Sequence, residues 1–294
     1  MIKFGTQVST FGKADLREAL QFVRQMGCQG LEVSMNVGSL RTGTVALEAL
    51  LSQAQTLRSA FSEADMEVIS LTPSIWLKHV QTPEVIEAVC QVARTLGARQ
   101  IRTFFAPYVR LGGSNSALDE WHAEFDGTRD SRYWMKRNCE ELQMLLDMTK
   151  CSGLRFVFEL HHGFSVTSAS AAMRILEHFP PSRVGIIMDP GNMVFEGNEG
   201  WRNSVQIMGE YLAYIHCKNA AWRRENGRWV QAWESLEDGI ADYGEIVTAL
   251  KDIGFDGYLC IEDLRGGLTP EERIGKAIRY LKGLIESDRR VMPI

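Results

Sequence analysis

Four short apolar runs in this chain each end in a side chain that can hold a cation or move a proton. They are Arg155-Phe-Val-Phe-Glu159-Leu-His161-His162-Gly163, Ile186-Ile-Met-Asp189-Pro-Gly-Asn192, Tyr214-Ile-His216-Cys-Lys218-Asn219 and Leu259-Cys-Ile-Glu262-Asp263. Aromatic and β-branched runs of this length suit strands buried on both faces. Their polar residues then lie at the C-terminal ends of strands, where parallel α/β proteins bind ligands. A lone acid at a strand end is commonly a helix cap or an ion-pair partner. Four such residues at equivalent positions are a different matter. Glu159, Asp189, His216 and Glu262 in one dry mouth would repel and resist desolvation unless a cation compensated them. Oxygen ligands with one imidazole suit Mn²⁺ or Mg²⁺ best, with Zn²⁺, Co²⁺ or Fe²⁺ as alternatives.

Bringing these residues together requires a particular architecture. Apolar runs predict strands over 2–8, 30–34, 66–71, 99–104, 154–160, 183–188, 212–217 and 258–261. Helical spacing predicts helices over 14–27, 44–65, 83–96, 130–150, 168–178, 200–210, 243–253 and 270–286. Regular alternation of this kind implies a parallel sheet covered by helices. Eight units in 294 residues suit one (β/α)8 TIM barrel, a single domain over 1–294. An open doubly wound sheet loses ground because no Gly-x-Gly-x-x-Gly loop follows the first strand. The ligand candidates are 30, 27 and 46 residues apart. That is one β/α unit each, the last enlarged by a long connection over 218–243 that carries Trp222, Trp229 and Trp233. A second long connection spans 105–130; loops of this length are usually functional.

Composition narrows the function classes. The 32 basic and 37 acidic side chains leave a net charge of −5, which disfavours a nucleic-acid partner. The six cysteines form no CxxC pair and read as small buried hydrophobes in a reducing compartment. No apolar stretch approaches the ~20 residues of a membrane span, and the N-terminus shows no signal-peptide pattern. The expected location is the cytoplasm.

These motifs, with Gly254-Phe-Asp-Gly257-Tyr258, resemble the xylose isomerase-like TIM barrel superfamily, in its sugar phosphate isomerase/epimerase branch. The resemblance covers nearly the whole chain. It implies that Glu159, Asp189, His216 and Glu262 bind one divalent metal, which holds two oxygens of a hydroxy-ketone while flanking acids move a proton through an enediolate. Physical chemistry agrees: a cation beside a carbonyl acidifies the adjacent C–H, and a carboxylate on each face could take and return the proton. Glu159 and Glu262 are the candidates for that work. The leading expectation is a metal-dependent isomerase or epimerase of a ketose-like sugar. Three positions depart from the ketose 3-epimerases, which carry Glu, His and Arg where this chain has Ser165, Asn192 and Trp222 with Arg223 adjacent. The alternative is therefore a lyase or dehydratase acting on a keto-sugar, keto-cyclitol or 3-oxo-glycoside through the same first step.

Further candidates surround this core. Alternation along the strand turns His161 the same way as Glu159, for acid/base or substrate work. Glu32, His162, Asn192, Lys218 and Arg223 are candidate substrate contacts; Glu32 could equally be a structural ion pair, and Lys218 could pair with Glu32 or Asp263. Trp76 and His79 follow the third strand, and the loop tryptophans suit a sugar-stacking wall or a subunit contact. The resemblance implies a homodimer or homotetramer. A DNA-repair endonuclease on the same barrel would need a three-metal cluster with several more histidines, and of the six here only His161, His162 and His216 lie near the proposed site. A non-catalytic sugar-binding barrel would not need the intact ligand set. No Gly-rich phosphate cradle is present, which favours an unphosphorylated substrate.

Overall fold

Eight strands pair in parallel and close on themselves in the order β1-β10-β7-β6-β5-β4-β3-β2. They are β1 (Lys3–Gln7), β2 (Gly30–Ser34), β3 (Glu67–Thr72), β4 (Gln100–Thr103), β5 (Arg155–Glu159), β6 (Val184–Met188), β7 (Leu212–Cys217) and β10 (Tyr258–Ile261). The computed structural model describes residues 1–7, 16–37, 40, 45–73, 82–105 and 130–287. Outside the barrel run α1 (Leu16–Gln25), α2 (Leu47–Glu63), α3 (Pro83–Leu96), α4 (Ser131–Met148), α5 (Ala169–Leu176), α6 (Pro190–Phe195), α7 (Trp201–Met208), α8 (Tyr243–Asp252) and α9 (Lys276–Glu286). Each predicted strand and helix is present, with ends within a few residues of those expected, except that the helix expected over 270–286 opens with a π-helical turn, Glu271–Gly275, before α9. Among the described residues, no helix is long and apolar enough to cross a membrane.

Two elements were not anticipated. Within the expected connection over 218–243, β8 (Asn219–Glu225) and β9 (Arg228–Glu234) form an antiparallel hairpin. Its turn is Asn226-Gly227, with φ of 49° and 79°. Positive φ at both central residues is the requirement of a type I′ turn, which Asn-Gly satisfies. The other is α6, which begins immediately after Asp189. The connection over 105–130, apart from its two end residues, lies outside the described residues, as do Trp76, His79 and His122.

Two apolar layers hold the barrel. The larger lies between strands and helices. The smaller fills the barrel: Ile69, Val157, Ile187, Tyr214, Tyr258 and Cys260. Strand alternation carries this plug directly to the site, because residues two positions further on point the same way. Val157 leads to Glu159, Ile187 to Asp189, Tyr214 to His216 and then Lys218, and Cys260 to Glu262. The apolar plug thus forms a dry floor beneath a polar mouth. Small residues make room for it: a Cβ on Gly30 would lie 2.8 Å from Ile69 and from the Tyr258 ring. Overpacking here forces neighbours off their rotamers. Gly30→Ala should therefore lower stability by about 1–3 kcal/mol, read as an earlier denaturant midpoint at unchanged slope. A wild-type midpoint would contradict this packing.

Candidate metal centre

Glu159 closes β5, Asp189 and Glu262 stand just beyond β6 and β10, and His216 lies within β7. One ligand atom from each lies within 4.8 Å of all the others. His216 Nδ1 is 3.1 Å from Glu159 Oε1, 3.3 Å from Glu262 Oε2 and 3.8 Å from Asp189 Oδ2. All four residues are buried. Local structure fixes Asp189: it caps α6, its Oδ1 accepting from the Asn192 amide N–H at 2.9 Å, with Pro190 at the first helical position. The Asn192 side chain then donates to Asp189 Oδ2 at 2.7 Å and to Glu159 Oε1 at 3.3 Å, tying two members together.

Compensating cations stand inside the cluster. Lys218 Nζ is 2.7 Å from Asp189 and 3.0 Å from Glu262. Its partners are thus neither of those expected; Asp263 is occupied by Arg265. Arg102 of β4 bridges Glu32 and Glu159, one guanidinium nitrogen on each. Burial opposes ionisation of Glu32 and Glu159, but Arg102 and His216 outweigh it and hold both well below the usual carboxylate range. Burial pushes Asp189 up to about 7, against Lys218 and with the charges of Glu159 and Glu262. Burial disfavours the His216 imidazolium, yet Glu159 and Glu32 raise its pKa to about 10. The donor set of one imidazole nitrogen and three carboxylates suits a divalent cation, whose charge would replace the protons and ammonium that balance the site.

The rim contains the remaining candidates. His161 and His162 stack at 4.7 Å. His161 Nδ1 lies 2.7 Å from the His162 carbonyl, which can only accept, so the proton is on Nδ1. Burial lowers the His161 pKa to about 4, leaving Nε2 as an acceptor at neutral pH. His162 Nδ1 meets Asn192 Oδ1 at 2.8 Å. The hairpin register puts Trp222, Trp229 and Trp233 on one face. Trp222 and Trp233 pack edge-on against Phe195, and Lys218 Nζ sits 5.0 Å from the Trp233 ring. Trp229 is 66% exposed near the hairpin turn. Beside Glu262 and Lys218 is a cavity of about 130 Å³, bordered also by Trp233, Ser235, Asp263 and Tyr280. Arg223 is not brought to the cluster. It is exposed on β8 and paired with Glu234. Glu32 lies on the Nε2 side of His216, 1% exposed, and not in the four-residue cluster.

A family model described as "Xylose isomerase-like TIM barrel" matches residues 20–284. The chain belongs to that family. Among curated relatives, it is 22% identical to the inosose dehydratase of Clostridium perfringens (strain 13 / Type A), covering 78% of this chain and 80% of that one. It is also 22% identical to the inosose dehydratase of Geobacillus thermodenitrificans (strain NG80-2), covering 48% of this chain, so the match spans about half (51%) of that relative's length. Its barrel superimposes on a 3-keto-D-glucoside 4-epimerase from E. coli with TM-score 0.69 at 15% identity, over 96% of this chain and 100% of that one. The IOLI protein with a bound zinc atom gives TM-score 0.67 at 17% identity, over 96% and 98%.

This xylose isomerase-like barrel places residues at the site that sequence reasoning did not single out. Arg102, Tyr214, Ser70 and Gln7 all lie behind the cluster. Their signal was strand parity: Tyr214 is two residues before His216, and Arg102 is a charged residue inside a four-residue strand. The pKa values of Asp189 and His216 are both shifted upward, so at about pH 6 an entering cation must displace a proton from each; through about pH 7 the Asp189 proton is lost beforehand. Affinity therefore rises with pH. Mn²⁺ should raise the melting temperature more at about pH 8 than at about pH 6, and calorimetry in buffers of different ionisation enthalpy should show more protons released at the lower pH. Equal stabilisation with no proton release would contradict these assignments.

Proposed function

We propose that this chain removes the proton next to the carbonyl of a keto-sugar or keto-cyclitol, with a divalent cation held by Glu159, Asp189, His216 and Glu262. The convergence of these four side chains at one barrel mouth supports the reading. When bound, the cation acts as a Lewis acid that acidifies the C–H beside the carbonyl. Glu262 is the base. It is the most exposed of the four at 8%, with Lys218 Nζ 3.0 Å from its Oε2. Glu159 is poorly suited to accept a proton, because the Arg102 guanidinium beside it stabilises its charged form. The Lys218 ammonium is placed to hold a substrate oxygen as negative charge develops there. His161 offers Nε2 as an acceptor for a substrate hydroxyl.

A single carboxylate placed to reach the substrate favours reactions that need one base. Epimerisation requires removal of the proton on one face and its return on the other. Elimination needs only that Glu262 take the carbon-bound proton and pass it to a departing hydroxyl: the C–H and C–O bonds break, a C=C bond forms, and water leaves. Arg102 on Glu159, with Ser165, Asn192 and Trp222 at the three departing positions, supports the dehydratase over the epimerase. The similarity to inosose dehydratases points the same way. A one-base isomerase is the competing reading. Incubation of the Mn²⁺-loaded enzyme with keto-sugars and keto-cyclitols in D₂O separates them. Loss of water with a new conjugated-carbonyl absorbance is expected, and Glu262→Gln should lower kcat by about 10²–10⁴. A product of unchanged formula would contradict elimination, and inversion at the exchanging carbon would contradict a single base.

A further inference from the structure

Behind the cluster, on the side away from the mouth, the imidazole of His216 meets a second carboxylate. Glu32 Oε2 lies 3.1 Å from His216 Nε2. Both oxygens of Glu32 are committed to protein groups. Oε2 also accepts from the Tyr214 hydroxyl at 2.7 Å, and that hydroxyl lies 2.9 Å from Ser70 Oγ. Oε1 accepts from Arg102 Nη1 and from Thr72 Oγ1 at 3.1 Å. Glu32, Ser70, Tyr214 and His216 are each at most 1% exposed. A substrate has no route to Glu32 and no oxygen left to bind there.

We propose that Glu32 is a positioning residue: it orients His216 and fixes which ring nitrogen carries the proton, with Tyr214, Ser70 and Arg102 holding it in place. The proposal rests on the metal site described above. An imidazole can ligate only through an unprotonated nitrogen. In the neutral ring that can ligate, Nε2–H donated to Glu32 leaves the lone pair on Nδ1, the nitrogen that faces Glu159, Asp189 and Glu262. The opposite tautomer also has a partner in place. The Gln7 amide lies 3.3 Å from Nε2, and a donor there would leave Nδ1 protonated and unable to ligate. A carboxylate accepts a proton-bearing nitrogen far more strongly than an amide opposes it, so Glu32 decides the outcome. Carboxylate acceptance also makes the imidazole a more basic ligand. Glu32, His216 and Cys260 do not form a second cation site, since Arg102 already occupies Glu32 and burial keeps the Cys260 thiol protonated.

The test is calorimetric titration of Mn²⁺ into the metal-free wild type, Glu32→Gln and Tyr214→Phe, with ¹⁵N-edited spectra of the Zn²⁺-loaded proteins. Glu32→Gln should weaken Mn²⁺ binding about 10–100-fold, and Tyr214→Phe by less, because Glu32 keeps its other partners. The wild-type spectrum should show a downfield Nε2-bound proton on His216, shifted upfield in Glu32→Gln. If Glu32→Gln does not fold, Tyr214→Phe and the wild-type spectrum carry the test. Unchanged Mn²⁺ affinity in folded variants whose metal-free melting temperature drops would make the network merely structural and overturn the proposal. So would an Nδ1-bound proton on His216 in the loaded wild type. Absence of Mn²⁺ binding in the wild type would instead remove the metal site on which it rests.

Discussion

Repulsion among buried carboxylates governs this molecule. Glu159, Asp189 and Glu262 bring carboxylate oxygens within 4.8 Å of one another above a dry floor, with Glu32 buried behind His216, where an uncompensated charge costs several kcal/mol. The sequence meets that cost with Arg102 at the back, Lys218 at the front and His216 between them. The two sides differ in kind. Arg102 reaches two carboxylates at once and stays charged at any physiological pH, so its side of the cluster is permanently neutralised. At the front, the compensation is an ammonium and exchangeable protons, which a cation can displace. That asymmetry separates a back held by a fixed charge from a front whose compensation can exchange.

The barrel makes the asymmetry by parity alone. Inward positions two residues apart on neighbouring strands rise from apolar plug to polar mouth, so the ligands need no loop to bring them together. Loops contribute the rim instead: α6 clamps Asp189 and Asn192, and the hairpin brings Trp233 beside Lys218. This division matches the chemistry. The proposed cation ligands stand on strands or one residue beyond them, whereas the rim is built from elements that can vary without disturbing the cylinder.

Much of this was legible in the residues. Eight apolar runs at β/α spacing give the barrel, because a strand buried on both faces has few other readings. Glu159, Asp189, His216 and Glu262 stand out because charge at the end of such a run is rarely incidental when it recurs. The back of the site was hidden for a physical reason. Arg102 and Glu32 belong to β4 and β2, and their pairing across the interior depends on closure of the sheet, which no local pattern records. Glu32 therefore reads equally as a substrate contact or a structural ion pair; closure of the sheet supplies the pair, with Arg102. The hairpin's local signal is Asn226-Gly227, but its arms, Asn219–Glu225 and Arg228–Glu234, mix charged residues with tryptophans and form no apolar run. Arg223 reads as a rim residue because only the strand pairing reveals that Glu234 holds it on the outer surface.

The most direct measurement is an anomalous difference map from crystals grown with Mn²⁺. A single peak enclosed by Glu159, Asp189, Glu262 and Nδ1 of His216, with the Lys218 ammonium moved off Asp189, is the predicted result. A peak elsewhere, or none while Lys218 still spans Asp189 and Glu262, would show that the carboxylates are balanced by the chain's own cations and would contradict the account.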